Sequence, residues 1–236
     1  MLFFYVRHGD PIYTPNQLTP LGKRQAESAA KRLALFGLDE IYASTSNRAI
    51  ETAQPTFELL EKTLKVKEIQ MLDFANESHA VRELSDKRRW LFQIPEFKNL
   101  LCSPEVAALG ARWYDHPRFT KYKNGIERIR RESDAFFETL GYKHIEGSGL
   151  YEVTRENNDR VALFAHQGFG LAFLSCILDI PYPTFSTHFD MCHTGITVIE
   201  FKNEDGYAMP RILTLSSDSH LYRDGLPLNY GNEIRF

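Results

Sequence analysis

Cysteine is scarce in this 236-residue chain: three residues, Cys102, Cys176 and Cys192, odd in number and widely spaced. No C-x-x-C pair occurs, which leaves no disulfide framework and no zinc knuckle, and reduced thiols in a reducing compartment are expected. Long hydrophobic runs are also lacking. No stretch approaches ~18 consecutive apolar residues, so no membrane span is expected. The opening run Leu2–Val6 is short and ends at Arg7, unlike a secretory signal. A strong net charge is missing as well. The 28 basic and 31 acidic side chains leave a formal charge of −3, too balanced for bulk attraction to nucleic acid or an anionic membrane. A cytoplasmic location is the resulting expectation. Repeats and low-complexity tracts are absent too. What remains is an ordinary globular composition, 43% hydrophobic and 25% charged, in a chain long enough to bury a sizeable core.

The hydrophobic patterning alternates between strand and helix. Leu2-Phe3-Phe4-Tyr5-Val6 reads as a strand buried on both faces. Pro11, Pro15 and Asn16 mark residues 9–18 as a loop. Thr19 caps a helix with Pro20 at its first position and Gly37 as its stop signal. Residues 41–43 form a short strand, and a helix follows from about 48 to 64, kinked at Pro55. Residues 124–140 have one apolar side at helical spacing, with Arg128 and Arg131 on a solvated face. Residues 160–165 form a strand followed by a helix to about 178. Residues 181–193 are a loop, residues 194–201 and 211–215 are strands, and the tail 216–236 is irregular. Residues 86–123 break the rhythm and read as a mostly helical insert. Its Trp90, Phe92, Trp113 and Tyr114 either line a specificity pocket or form the insert's own core. The pattern predicts an α/β fold: a single domain over 1–236, built as a three-layer αβα sandwich with a mostly parallel central sheet.

Three strand–loop–helix junctions carry chemistry. Arg7-His8-Gly9 ends the first buried strand. Arg48 follows Ser44 to Asn47 at the start of a helix, a position favourable for anions. His166, in Ala165-His166-Gln167-Gly168, again ends a buried strand. Taken singly, each has a bland explanation as a chance tripeptide, a surface arginine or a structural histidine. Together they deliver two arginines and two histidines to one sheet edge, where ligands of open α/β sheets bind.

These segments, in this order, resemble the histidine phosphatase superfamily, the phosphoglycerate-mutase-like proteins. The resemblance rests on Phe4-Tyr5-Val6-Arg7-His8-Gly9-Asp10 and on Leu18-Thr19-Pro20-Leu21-Gly22-Lys23-Arg24-Gln25-Ala26. It continues through Ile41-Tyr42-Ala43-Ser44 with Arg48-Ala49-Ile50-Glu51-Thr52-Ala53, then Phe164-Ala165-His166-Gln167-Gly168 and Ser219-His220-Leu221. It implies that His8 attacks a phosphate to form a phosphohistidine while Arg7, Arg48 and His166 clamp the phosphoryl oxygens. It also implies a carboxylic acid shortly after the second helix. Glu77 in Asn76-Glu77-Ser78-His79 is the first choice, and Glu83 is the alternative. Asn16, Gln167 and His193 are further candidates for touching the substrate. His220 is read as a structural hydrogen-bonding residue. Asp10-Pro11, where the family often has Glu-Thr, sends the following loop along another path, and Gln167 replaces a commoner small residue.

The function implied is a phosphomonoester hydrolase that needs no cofactor and no metal and acts on a small phosphorylated substrate. A phosphoglycerate mutase-like isomerase and a non-catalytic phospho-ligand module are the alternatives. The basic, proline-rich segment that glycolytic mutases carry is not found, which ranks hydrolysis first. His188-Phe189-Asp190-Met191-Cys192-His193 also contains zinc-ligand types, though a loop rimming the phosphate pocket is the better reading.

Overall fold

A computed structural model describes residues 1–228. The part of the expected irregular tail over 229–236 lies outside the described residues. The central sheet consists of β1 (Leu2–Arg7), β2 (Glu40–Ser44), β3 (Gln70–Leu72), β4 (Arg160–Ala165), β5 (Ile196–Glu200) and β6 (Arg211–Ser217). Their spatial order is β6-β5-β1-β4-β2-β3. β1, β4, β2 and β3 are parallel to one another, and only β5 runs antiparallel to both its neighbours. The mostly parallel sheet is therefore as expected.

The inner strands β1 and β4 are apolar between their ends because both faces are covered, whereas the edge strands β6 and β3 are partly polar and exposed. Phe3 and Tyr5 point to one side and Phe4 and Val6 to the other, into two separate cores. The helices α1 (Pro20–Phe36) and α2 (Asn47–Leu60) cover the Phe4–Val6 face with Leu33, Ala53 and Leu60. The opposite face is covered by α4 (Lys123–Thr139) and α5 (Gln167–Ile177), after a short α3 (Glu77–Leu84). There Phe3 meets Phe137 with ring centroids 5.1 Å apart and Phe173 at 5.9 Å. Each such fully buried aromatic contributes about 1.5–3 kcal/mol relative to exposure.

Local signals act as expected at several ends. The Thr19 hydroxyl accepts from the Gly22 N–H at 2.9 Å and caps α1. Pro55 is accommodated inside α2, which stops at Leu60 rather than at residue 64. Other expectations fail. Residues 142–145 and 150–153, with 203–204 and 207–208, form a second, four-stranded antiparallel sheet. The segment 181–193 contains a helix, Tyr182–His188, and the tail contains another, Ser219–Arg223. The segment 86–123 opens on a hairpin, Ser85–Asp86 paired with Arg89–Trp90, and is helical only in short pieces such as Pro95–Leu101 and Pro104–Ala107. Its Trp113 is buried against Phe119 and Tyr182, and Trp90 and Tyr114 are buried too, so these three are core, whereas the partly buried Phe92 lines a cleft with Gln167 and Asp190. No helix among the described residues is long and apolar enough to cross a membrane.

Candidate active site

β1, β4 and β2 lie side by side, so the residues that follow their carboxyl ends are brought together. His8 leaves β1 with its N–H donated to the Ala165 carbonyl (2.9 Å). Gly9 then passes so close to α1 that a Cβ there would lie 2.6 Å from the Gly22 carbonyl oxygen, which no side chain tolerates. The Gly9 N–H donates to Thr52 Oγ1 at 3.0 Å. These contacts fix the His8 backbone. His8 Nδ1 lies 2.7 Å from the Gly9 carbonyl oxygen. A carbonyl only accepts, so Nδ1 carries the proton and Nε2 keeps its lone pair. Burial, the neighbouring His166 and the charges of Arg7 and Arg48 push the His8 pKa well below 6.5. The ring is neutral and nucleophilic at neutral pH.

Arg7 is buried and spans the loop 191–193. Its guanidinium donates to the Met191 carbonyl and, through Nη2, to His193 Nε2 at 2.9 Å. His193 therefore accepts at Nε2, and its protonated Nδ1 faces Asp10 Oδ1 at 3.6 Å. Burial, and then Arg7, push the His193 pKa down to about 3. Arg48 donates from Nη1 to Asn16 Oδ1 (3.0 Å) and Ser46 Oγ (3.1 Å), and from Nη2 to Glu77 Oε2 (2.7 Å). Tyr13 covers its face, with the ring centroid 5.4 Å from the guanidinium carbon.

His166 is completely buried at the cap of α5, between the Tyr5 hydroxyl, which donates to its carbonyl at 2.6 Å, and Ser44 Oγ, 2.8 Å from its Nε2. Burial and the charges of Arg48 and Arg7 hold its pKa well below 6.5. Glu77 stands at the start of α3. Its Oε1 accepts the Gly168 N–H at 3.2 Å, and its Oε2 lies 3.6 Å from His166 Nδ1.

The structure thus brings together His8, Arg7, Arg48, His166 and Glu77. Asn16 joins through Arg48, and His193 joins through Arg7. Gln167 donates its side-chain amide to Asp190 Oδ1, the same oxygen that accepts the Met191 N–H at 2.7 Å. It thus supports the loop that receives Arg7. Glu83 is elsewhere, held by Arg128 through bonds of 2.7 and 2.9 Å. Of the two arginines expected on a solvated face, Arg131 is exposed, whereas Arg128 is mostly covered and paired with Glu83. His220 bonds Thr194 Oγ1 at 2.9 Å, which suits the structural role read for it. Sequence reasoning missed Ser44, Ser46, Thr52 and Tyr5. Serines and threonines at strand ends are common, so only the coordinates single these out.

Four buried nitrogens in this cluster, Arg7 Nε, Arg48 Nε, His166 Nδ1 and His193 Nδ1, have no hydrogen-bond partner among the described residues. Buried donors are rarely left so. The His166 ring lies 5.1 Å from that of His8, and the charges of Arg7 and Arg48 act on His8; a tetrahedral oxyanion is a chemical object that such a set can satisfy. One ligand atom each from His8, Glu77 and His166 also falls within 4.8 Å of the others, a spacing that a metal ion can use. Two guanidinium groups flank that position and Glu77 already pairs with Arg48, so the local field favours an anion over a divalent cation. His188 and Asp190 of the other zinc-like run turn to different partners. A cleft of about 710 Å³ opens from Arg48, Asn16 and Glu77 to the surface.

Fold and site together define an α/β protein that presents a neutral histidine among two arginines, a second histidine and a glutamate. The sequence model of the histidine phosphatase superfamily (branch 1) matches residues 4–100. That segment of the chain is similar in sequence to the superfamily, and the solved structures below share the fold across most of the chain. Phosphoserine phosphatase from Entamoeba histolytica, solved with 3-phosphoglyceric acid, superposes with a TM-score of 0.57 at 19% identity over 93% of this chain and 98% of that one. Mycobacterial glucosyl-3-phosphoglycerate phosphatase, solved with VO3, gives 0.56 at 17% identity over 92% and 99%. At such identities the likeness concerns the fold. No curated protein is similar to the chain in sequence.

Proposed function

We infer that the chain hydrolyses small phosphomonoesters through a phosphohistidine on His8. The observation that carries this reading is the set of unpartnered buried nitrogens on Arg7, Arg48 and His166 beside a His8 whose Nδ1 proton is tied to Gly9. In the first step Nε2 attacks phosphorus and the ester P–O bond breaks. Arg7, Arg48 and His166 stabilise the charge spread over the equatorial oxygens. The leaving alkoxide takes its proton from Glu77. Glu77, whose Oε2 lies 3.6 Å from His166 Nδ1, is the carboxyl placed to serve as that acid. In the second step water attacks the phosphohistidine, Glu77 accepts its proton, and the N–P bond breaks to release inorganic phosphate. Every proton and bond is accounted for by residues of the chain.

The test is hydrolysis of p-nitrophenyl phosphate by wild type and His8→Ala, with mass spectra after alkaline and acid quench. Turnover is expected to be lost in His8→Ala. An alkali-stable, acid-labile adduct of about 80 Da is expected on wild type alone. EDTA is expected to leave the rate unchanged. Retained activity in His8→Ala, or loss of activity in EDTA that added metal restores, sinks the mechanism.

A further inference from the structure

Thr194 holds a backbone conformation that its side chain resists. Its φ is +56°, and it is the only β-branched residue with positive φ among the described residues. A branched Cβ makes that region a true outlier. Such strain persists only where the surroundings over-determine it. Here they do. Thr194 is completely buried. Its N–H is shared between the carbonyls of Arg7 (3.0 Å) and His8 (3.3 Å). Its hydroxyl lies 2.7 Å from the His193 carbonyl oxygen and 2.9 Å from His220 Nε2.

The proton positions follow from these contacts. Two oxygens at 2.7 Å need a proton between them, and a carbonyl has none, so the Thr194 hydroxyl donates to His193. His220 Nε2 is then the donor to Thr194 Oγ1. Burial, and after it the charge of Arg32, lower the His220 pKa to about 4, so the ring is neutral with its proton on Nε2. His220 itself belongs to the tail helix Ser219–Arg223, and its carbonyl accepts the Ser28 hydroxyl of α1 at 2.8 Å. A chain of hydrogen bonds therefore runs from the tail helix through Thr194 to the turn 191–195.

That turn carries the partners of the catalytic strand end. The Gly195 N–H closes it on the Cys192 carbonyl at 3.0 Å, and Ser216 Oγ of β6 accepts the Cys192 N–H at 2.8 Å. The Met191 carbonyl and His193 Nε2 receive the Arg7 guanidinium. The Thr194 N–H holds the Arg7 and His8 carbonyls. A turn that relaxed to negative φ would displace both sets of partners at once. We propose that Thr194 and His220 are positioning residues: without touching the phosphate, they lock the 191–195 turn so that Arg7 and His8 meet at one phosphorus. This inference rests on the phosphomonoesterase reading.

The test compares Thr194→Val, which keeps the branched shape and loses the hydroxyl, with Thr194→Ser, which keeps the hydroxyl. It also compares His220→Leu with His220→Gln, whose amide can donate from near the Nε2 position. The readouts are kcat/KM for p-nitrophenyl phosphate and the ratio of the inhibition constants of phosphate and vanadate. Vanadate on a nucleophile imitates the five-coordinate transition state, so a misaimed Arg7 weakens it more than phosphate. Because a ratio is read, a change in the folded fraction cancels. Thr194→Val and His220→Leu are each expected to lower kcat/KM by about tenfold, the worth of one buried hydrogen bond, and to cut the vanadate preference by a similar factor. Thr194→Ser and His220→Gln are expected to keep most of both. The double variant Thr194→Val/His220→Leu is expected to be no worse than either single one, because the chain is already broken.

An unchanged vanadate preference in either Thr194→Val or His220→Leu overturns the positioning role, and so do additive losses in the double variant. Hydrolysis by wild type leaves the phosphatase reading standing in both cases. Absence of all hydrolysis by wild type overturns the phosphatase reading instead. The positioning role is then decided by calorimetric binding of vanadate and phosphate. A vanadate preference that falls in Thr194→Val supports it, and one that is absent from wild type or equal in the two proteins overturns it.

Discussion

Ser44 has one hydroxyl and two neighbours. Its Oγ lies 3.3 Å from the Ser46 N–H, from which it accepts, and 2.8 Å from His166 Nε2. Nε2 is the acceptor nearest the Ser44 proton, and with that proton given to Nε2 the imidazole N–H is at Nδ1, on the side of Glu77 Oε2 at 3.6 Å. Ser44→Ala is expected to lower kcat/KM by about tenfold, the worth of one orienting hydrogen bond. Ser44→Thr, which keeps the hydroxyl, is expected to retain most activity; equal rates in Ser44→Ala and wild type remove Ser44 from the mechanism. The two candidate acids separate in the same way. Glu77→Gln is expected to slow an alkyl phosphate by about 10²–10⁴ and p-nitrophenyl phosphate much less, because that leaving group needs no proton. Glu83→Gln loses only its pair with Arg128, worth about 1 kcal/mol at a partly exposed site, and is expected to turn over normally. The sequence alone did not separate these carboxylates because it did not reveal α3. They lie six residues apart, about 120° around a helix, so once the helix is known only one of them can face His166. Arg7, His8 and His166 were legible because each ends an apolar run too regular to be a loop, and Arg48 because it opens a helix just after a strand.

Gly168 joins two elements that the sequence treated as unrelated. The helix α5 after β4 was visible from the apolar strand and the glycine that follows it. The hairpin 85–90 was not, because a two-residue strand has no period to read and Lys-Arg is the wrong pair for its turn. The same reason hid β3 and the second sheet. Tyr142-Lys143-His144-Ile145 and Leu150-Tyr151-Glu152-Val153 are four residues each and bury one tyrosine apiece. The consequence can be measured. Gly168→Ala places a methyl against the Trp90 indole and is expected to destabilise the protein by about 1–3 kcal/mol, the range for overpacking a core. A red shift in tryptophan emission should accompany it as Trp90 leaves its site. In a Trp90→Phe background the cost of Gly168→Ala is expected to shrink, since the clashing ring is smaller. Additive costs in that double-mutant cycle would show that the two residues do not oppose each other.

Seen at full size, the molecule is a central sheet between two cores, with the second sheet attached beside one of them. A buried histidine is one ionisable fastening of that attachment, beside the more exposed pair of Arg130 with Glu146. His144 sits on strand 142–145 with its side chain 1% exposed. Nδ1 lies 2.8 Å from Asp134 Oδ1 on α4, and Nε2 lies 3.1 Å from Asp179 Oδ2 just after α5. The ring stacks on Tyr151 at 4.5 Å. Two carboxylates facing two ring nitrogens require both nitrogens to donate, so the ring is an imidazolium. Burial alone would lower its pKa, but the bonds to Asp134 and Asp179 outweigh burial and raise it to about 9. The folded-state pKa lies above the unfolded value near 6.5. The stabilisation is therefore complete below pH 6.5 and is lost as pH rises towards 9. The difference corresponds to about 3 kcal/mol. Urea unfolding of wild type should accordingly give a stability that falls across pH 6.5–9, on top of the contributions of other groups. His144→Gln should be less stable than wild type at pH 6 and should lose most of that slope, so that the two proteins converge by pH 9.5. Parallel wild-type and His144→Gln curves across this range would mean that the ring is not charged in the folded protein. The second sheet would then be held by the Tyr151 stack and the neighbouring aromatic core rather than by the ion triad.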